Sequence, residues 1–204
     1  MSAVRLPIFP LAGAIVFPGL QLPLHIFEPR YRDLVGSALA RDRRIAMIQP
    51  HSMAEGAPLF GMGCVGRIED VEALEDGRYN IVLEGQARFR LIRELPVTTS
   101  YRQIEAELLV EPEDEILSSP ERAALEAEAR RFADRQRYSV DWESVARLDD
   151  MSLVNGMSQI APFDTAAKQA LLEAEGLSTR CELLIQLMEF FGRGDPEEER
   201  VTLQ

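Results

Sequence analysis

The sequence predicts an α+β fold, a small rolled antiparallel sheet followed by a bundle of helices. Residues 78–91 alternate apolar and polar side chains over a span too long for a turn, which marks a strand with one packed and one wet face. Asp76-Gly77 stands just before that run and is a hairpin-turn pair, so the strand folds back on the segment 64–74. Past Pro112 the apolar spacing changes to that of helices.

In chain order, residues 4–9 and 21–26 are short apolar runs separated by Pro- and Gly-containing turns, which suits strands of a compact sheet. Glu28-Pro29 then opens a helix near residues 28–41, because proline at the first helical position gives up an N–H that has no helical partner. Tyr31, Leu34, Val35, Ala38 and Leu39 fall on one face of it and are expected to be buried. Residues 45–48 form the next strand, closed by Pro50. In the long alternating strand Tyr79, Ile81, Leu83, Ala87, Phe89 and Leu91 point inward, while Asn80, Glu84, Gln86, Arg88 and Arg90 point outward. Gly85, in mid-pattern, predicts a bulge or sharp bend. A last strand places Ile104, Ala106, Leu108 and Val110 inward. Hairpin-joined strands closing on themselves suggest a small barrel or rolled sheet.

Residues 1–112 are therefore expected to form the strand-rich part, residues 113–192 the helical part, and residues 193–204 an acidic tail. Ser118-Ser119-Pro120-Glu121 is a helix-start signature, and Leu125 and Phe132 mark the apolar stripe of that helix. Leu153, Met157 and Ile160 mark a second stripe, ended by Pro162; Asp164-Thr165 starts a third helix, ended by Gly176. Ser178 is expected to cap the last helix, whose stripe is Cys181, Leu184, Ile185, Met188 and Phe191.

A chain of 204 residues buries enough surface, roughly 70% of what it exposes unfolded, to need no disulfide or metal staple. Cys64 and Cys181 lie far apart among apolar neighbours, as buried free thiols do. A net charge of −12 weighs against nucleic acid as the partner, since phosphates demand clustered cations. Residues 6–24 are largely apolar but are interrupted by Pro7, Pro10, Pro18 and Gly19, which does not fit a secretory helix, and no later run has transmembrane length. A cytoplasmic protein with no membrane partner is the expectation.

Chemistry-bearing motifs fail one by one. A P-loop or a Ser–Lys dyad needs lysine, and the only lysine, Lys168, lies between Ala167 and Gln169 in a helical stretch. His25 and His51 have no Cys or His at metal-ligand spacing, and neither has the partners of a catalytic triad. The carboxylates of Glu113-Asp114-Glu115 and Asp149-Asp150 stand at loops or helix starts, where solvation or capping accounts for them. Glycines 61, 63 and 66 are followed by strand pattern, not by the helix of a dinucleotide site. No catalytic residue, metal ligand or cofactor is expected.

Residues 6–11 (Leu-Pro-Ile-Phe-Pro-Leu), Val16-Phe17-Pro18-Gly19, and the run from Leu22 through Phe27-Glu28-Pro29-Arg30-Tyr31 closely resemble the opening of the substrate-recognition domain of the Lon protease family. A second block, residues 63–68, Asp76-Gly77-Arg78-Tyr79 and residues 83–91, resembles the strand pattern of that family. A looser, helical match covers residues 168–173 and 180–189. The resemblance implies a PUA-like pseudo-barrel followed by a helical bundle, and a module that holds unfolded or peptide segments of other proteins, or a partner protein, without chemistry. The chain ends at Gln204, where the ATPase and peptidase parts of that family would begin, so no ATP-dependent proteolysis is expected. Arg30 and Tyr31 are the candidate substrate-binding residues, by hydrogen bonding and stacking if they line a groove. Fold maintenance is the competing explanation of the whole motif, with Arg30 pairing with Glu28. The alternative function is RNA binding through the PUA-like sheet, suggested by Arg88, Arg90 and the cluster at residues 41–44.

Overall fold

The computed structural model describes residues 3–110 and 115–193. The chain divides into two compact units, Met1–Glu111 and Pro112–Gln204. The expected change of character at residues 112–113, the pair Glu113-Asp114, and the tail beyond Arg193 lie outside the described residues.

The first unit holds strands β1 (Ala3–Pro10), β2 (Gln21–Ile26), β3 (Arg44–Pro50), β4 (Leu59–Ala73), β5 (Tyr79–Leu95) and β6 (Gln103–Leu108), with helix α1 (Pro29–Leu39) between β2 and β3. The strand order is β2-β5-β4-β3-β1-β6, and β5 pairs with β6 as well. That extra pairing closes the sheet into a barrel and leaves β2 outside the ring, on the first half of β5. The rolled sheet expected from the sequence is present, with one refinement: β1 and β3 run parallel, and the other pairings are antiparallel. Parallel neighbours need a long crossover, which β2 and α1 supply.

Two apolar clusters occupy the two faces of the wall. Ile8, Ala46, Val65, Phe89, Ile104 and Ala106 form one; Tyr31, Leu34 and Val35 of α1 pack on Met47, Ile68 and Leu83 to form the other. The long strand serves both, because it contains a bulge. Register passes from Val65↔Ala87 to Gly66↔Gly85, which leaves Gln86 without a counterpart. One extra residue turns the strand over. Ile81 and Leu83 therefore lie under α1, whereas Phe89 lies in the other cluster. Uniform alternation also put Arg88 in water; beyond the bulge it is buried, 7% exposed. Gly85 allows the backbone of residues 17–20 to cross close by. Gly19 N–H donates to the Gly85 carbonyl and Gly85 N–H to the Leu20 carbonyl, both at 2.9 Å, and a Cβ on Gly85 would strike the Phe17 carbonyl. Val110, expected inward, falls beyond the end of β6 and is exposed.

The second unit contains α2 (Ser119–Gln136), α3 (Trp142–Ala146), α4 (Asp150–Ile160), α5 (Thr165–Glu173) and α6 (Leu177–Phe191). Ser118 caps α2 in a reciprocal box: its hydroxyl accepts from Glu121 N–H, and the Glu121 carboxylate accepts from Ser118 N–H. Asp149 and Asp164 cap α4 and α5 through Ser152 N–H and Ala167 N–H. Ser178 does not cap α6. Its cap position lies two residues earlier, at Gly176 with φ 79°, and the Glu115 carboxylate accepts from Leu177 N–H at 2.7 Å. An anion at a helix N-terminus meets the free N–H groups and the positive end of the dipole, so a distant residue replaces the local cap. Leu125, Phe132, Leu153, Leu171, Cys181, Leu184 and Met188 make the interior. Met157 and Ile160 depart from the expected stripe, since Ile160 is 79% exposed.

Candidate groove on the sheet unit

The segment joining β2 to α1 shapes a concavity of the first unit. Glu28 is the N-cap of α1, in extended conformation, and Pro29 follows at the first helical position. The Glu28 carbonyl accepts from the N–H groups of Tyr31 and Arg32, both at 3.0 Å, so the helix turns sharply out of the strand. Tyr31 then points into the core, 8% exposed, with its ring edge-on to Phe9 at 4.3 Å between centroids. Burial pushes the Tyr31 phenol above its ordinary pKa, while the Arg30 charge pulls it back. Arg30 lies over the same ring, 4.7 Å from its centroid, and its guanidinium is 2.8 Å from the Glu28 carboxylate and 3.8 Å from that of Glu55.

Across from this segment, residues 51–58 form a loop closed by His51 N–H donating to the Pro58 carbonyl at 2.8 Å. Arg102 holds the loop in place. Its Nε and Nη2 each donate to a different oxygen of Glu94 at 2.7 Å, and Nη1 donates to the Ala57 carbonyl at 3.1 Å. That pairing keeps the Glu94 carboxyl below its ordinary pKa. The His51 ring packs on Phe60, 4.0 Å between centroids.

Between β2, the start of α1, the end of β1 and this loop runs a groove of about 750 Å³. The structure brings Arg30 and Tyr31 to it together. It also assigns their side chains to internal contacts, since the Tyr31 ring meets Phe9 edge-on and Arg30 lies over it. The apolar surface that the groove presents comes from two residues the sequence did not single out for binding. Phe27 is 59% exposed and Met53 84% exposed. Phe27 sits within the Phe-Glu-Pro-Arg-Tyr motif, where its exposure has no periodic signal; Met53 sits in a loop of polar and small residues. His25, which lines the groove, has its Nδ1 2.7 Å from the Asn80 side-chain oxygen and its Nε2 3.3 Å from Arg78. What such an arrangement does chemically is exclude water from an apolar guest.

The second unit carries a smaller cleft of about 260 Å³, walled by Tyr138, Trp142, Leu148, Met157 and Ile160 among others. This is where Met157 and Ile160 went instead of the interior. Among the described residues no group of three or more His, Cys, Asp or Glu stands close enough to hold a metal ion. No helix there is long and apolar enough to cross a membrane. Of the arginines that suggested RNA binding, Arg88 is buried, Arg41, Arg44 and Arg90 are exposed, and Arg44 lies 4.0 Å from Asp42.

A sequence profile of the substrate-binding domain of ATP-dependent protease La (Lon) matches residues 5–189. Lon protease 1 of Syntrophobacter fumaroxidans is 28% identical over 193 residues, covering 90% of this chain and 23% of that protein. Lon protease of Escherichia coli K12 is 24% identical over 196 residues, covering 91% of this chain and 25% of that protein. The chain thus spans about a quarter of the length of these relatives. Among solved structures, a Lon N-terminal domain protein from Xanthomonas campestris superposes with TM-score 0.69 at 22% identity, covering 90% of this chain and 98% of that one. The N-terminal domain of Mycobacterium avium complex Lon protease gives TM-score 0.68 at 20% identity, covering 91% and 98%. At these identities the likeness is one of fold.

Proposed function

The chain belongs to the family of Lon substrate-binding domains, and from that premise we propose that it is a non-catalytic module that binds exposed apolar segments of other proteins in the groove beside Arg30 and Tyr31. The observation that carries this reading is the pair Phe27 and Met53, two large exposed apolar side chains that line one groove. Leaving them exposed forgoes roughly 1.5–3 kcal/mol for each side chain that full burial would recover, which a bound apolar segment supplies. Arg30 and Tyr31 act as the rigid floor: Arg30 is tied to Glu28, and Tyr31 is anchored on Phe9. The proposal includes a cytoplasmic place of action, where the thiols of Cys64 and Cys181 stay reduced.

Capture of a permanently unfolded, carboxymethylated protein by the immobilised chain tests this. Phe27→Ser and Met53→Ser alter exposed side chains, so the fold and its melting temperature stay as in the parent. Each is expected to weaken capture by about ten-fold, the effect of losing an interface anchor. Capture unchanged in both variants overturns the assignment of the groove. No capture by the parent chain overturns the binding function itself.

A further inference from the structure

β2 is the last strand of the sheet, and among the described residues β5 is its one strand partner. In an antiparallel pair, successive residues turn their N–H and C=O alternately toward the partner and away from it. Gly85 N–H donates to the Leu20 carbonyl, and the register continues as Leu22↔Leu83 and Leu24↔Ile81. Leu20, Leu22 and Leu24 therefore face β5, while the backbone groups of Pro23 and His25 face the open edge. Pro23 checks this assignment independently. It has no N–H, and an edge strand places proline on its outer side, where no ladder bond is lost.

The groove lies along that edge. Pro23, Leu24, His25 and Ile26 all line it in unbroken succession. Their side chains alternate between the two faces of the strand, so a concavity that touches all four follows the rim rather than either face. The charged groups around it are engaged with one another: Arg30 with Glu28 and Glu55, and Arg102 with Glu94. What remains for a guest is the outward backbone donors and acceptors of β2, in a groove that Phe27 and Met53 also line.

We infer that the groove takes its guest as an added β-strand: an extended, uncharged segment of another protein pairs with the outer edge of β2. This deepens the binding function proposed above and rests on it. The guest exchanges bonds with the N–H and C=O of His25 and donates to the Pro23 carbonyl. Its apolar side chains, spaced two apart, reach Phe27 and Met53. Sequence specificity is low, because the backbone supplies the bonds. The missing N–H of Pro23 interrupts the edge and discourages indiscriminate sheet-to-sheet pairing.

The test uses the full chain and a labelled, end-capped peptide of about eight alternating valines and threonines, the length of an ordinary strand. Each backbone amide of the peptide is N-methylated in turn, and binding is followed by fluorescence anisotropy. Strand addition predicts an alternating pattern: every second methyl weakens binding about ten-fold, the worth of one lost hydrogen bond, while the methyls between have little effect. Hydrogen exchange at the His25 amide slows on binding. A flat methylation profile, or an unprotected His25 amide with the peptide bound, overturns strand addition and leaves the binding function standing. So does failure of this peptide to bind a chain that still captures the unfolded protein. If neither peptide nor unfolded protein binds, both conclusions fall.

Discussion

Arg180 is a guanidinium 3% exposed, and it donates to three acceptors: the Asn155 side-chain oxygen at 2.7 Å, the Leu171 carbonyl at 3.0 Å and the Ala174 carbonyl at 3.3 Å. The last two end α5, where carbonyls have no helical partner and a cation meets the negative end of the dipole. Arg180→Met keeps the length of the side chain and removes its donors. It is expected to cost about 3 kcal/mol, read as a lower urea midpoint with an unchanged slope. A midpoint equal to that of the parent would mean that water takes over the acceptors. Arg180→Lys is expected to rescue little, because one ammonium does not span three acceptors set around a planar fork. Four residues before Leu184 and eight before Met188, Arg180 shares the buried face of α6, yet its residue type gives it the look of a solvated arginine. Arg88 misleads in the same way. Its burial follows from Gln86, an extra residue visible only once β4 fixes the register.

Helix starts are the most legible elements, because a cap needs only residues close in sequence. Ser118 with Glu121, Asp149 and Asp164 all carry out their expected tasks. The start of α6 is not legible, since its carboxylate comes from Glu115, far away in the chain. Long strands are legible in extent but not in facing, because a bulge reverses every later side chain. The groove is the least legible feature. Its exposed members, Phe27 and Met53, differ from core residues only in where the chain turns around them.

The caps also make the helices sensitive to acid. The Asp149 carboxyl is held below its ordinary pKa of 3.8 by hydrogen bonds from the Ser152 N–H and hydroxyl. Glu121, ordinarily 4.5, is lowered by its bonds to Ser118 and Ser178. A carboxylate whose pKa is depressed in the folded state adds stability that is complete above its unfolded pKa and disappears as pH falls through the folded value. The helical circular-dichroism signal is therefore expected to lose urea resistance from roughly pH 4 downward. Asp149→Asn keeps a capping oxygen but does not titrate, so its stability should fall less steeply over that window. Equal slopes for parent and variant would remove Asp149 from the account.

At the scale of the whole molecule, each of the two units contains one buried cysteine. Cys64 is 1% exposed in the sheet unit, and Cys181 is fully covered in the helical unit. Burial, with Glu121, Glu182 and Asp150 nearby, pushes the Cys181 thiol up to about 11. At neutral pH it is both inaccessible and protonated, and the nucleophilic form is the thiolate. A native sample is expected to leave both sulfurs unmodified by an aromatic disulfide reagent over hours, and to react fully once unfolded. Prompt reaction of either sulfur in native buffer would contradict the packing around it. The placement has a practical result. Pulsed alkylation followed by peptide mass spectrometry yields two separate clocks, one per unit, from the unmodified protein. Each records how often its own interior breathes, so adding a guest strand should slow the ticking of Cys64 first.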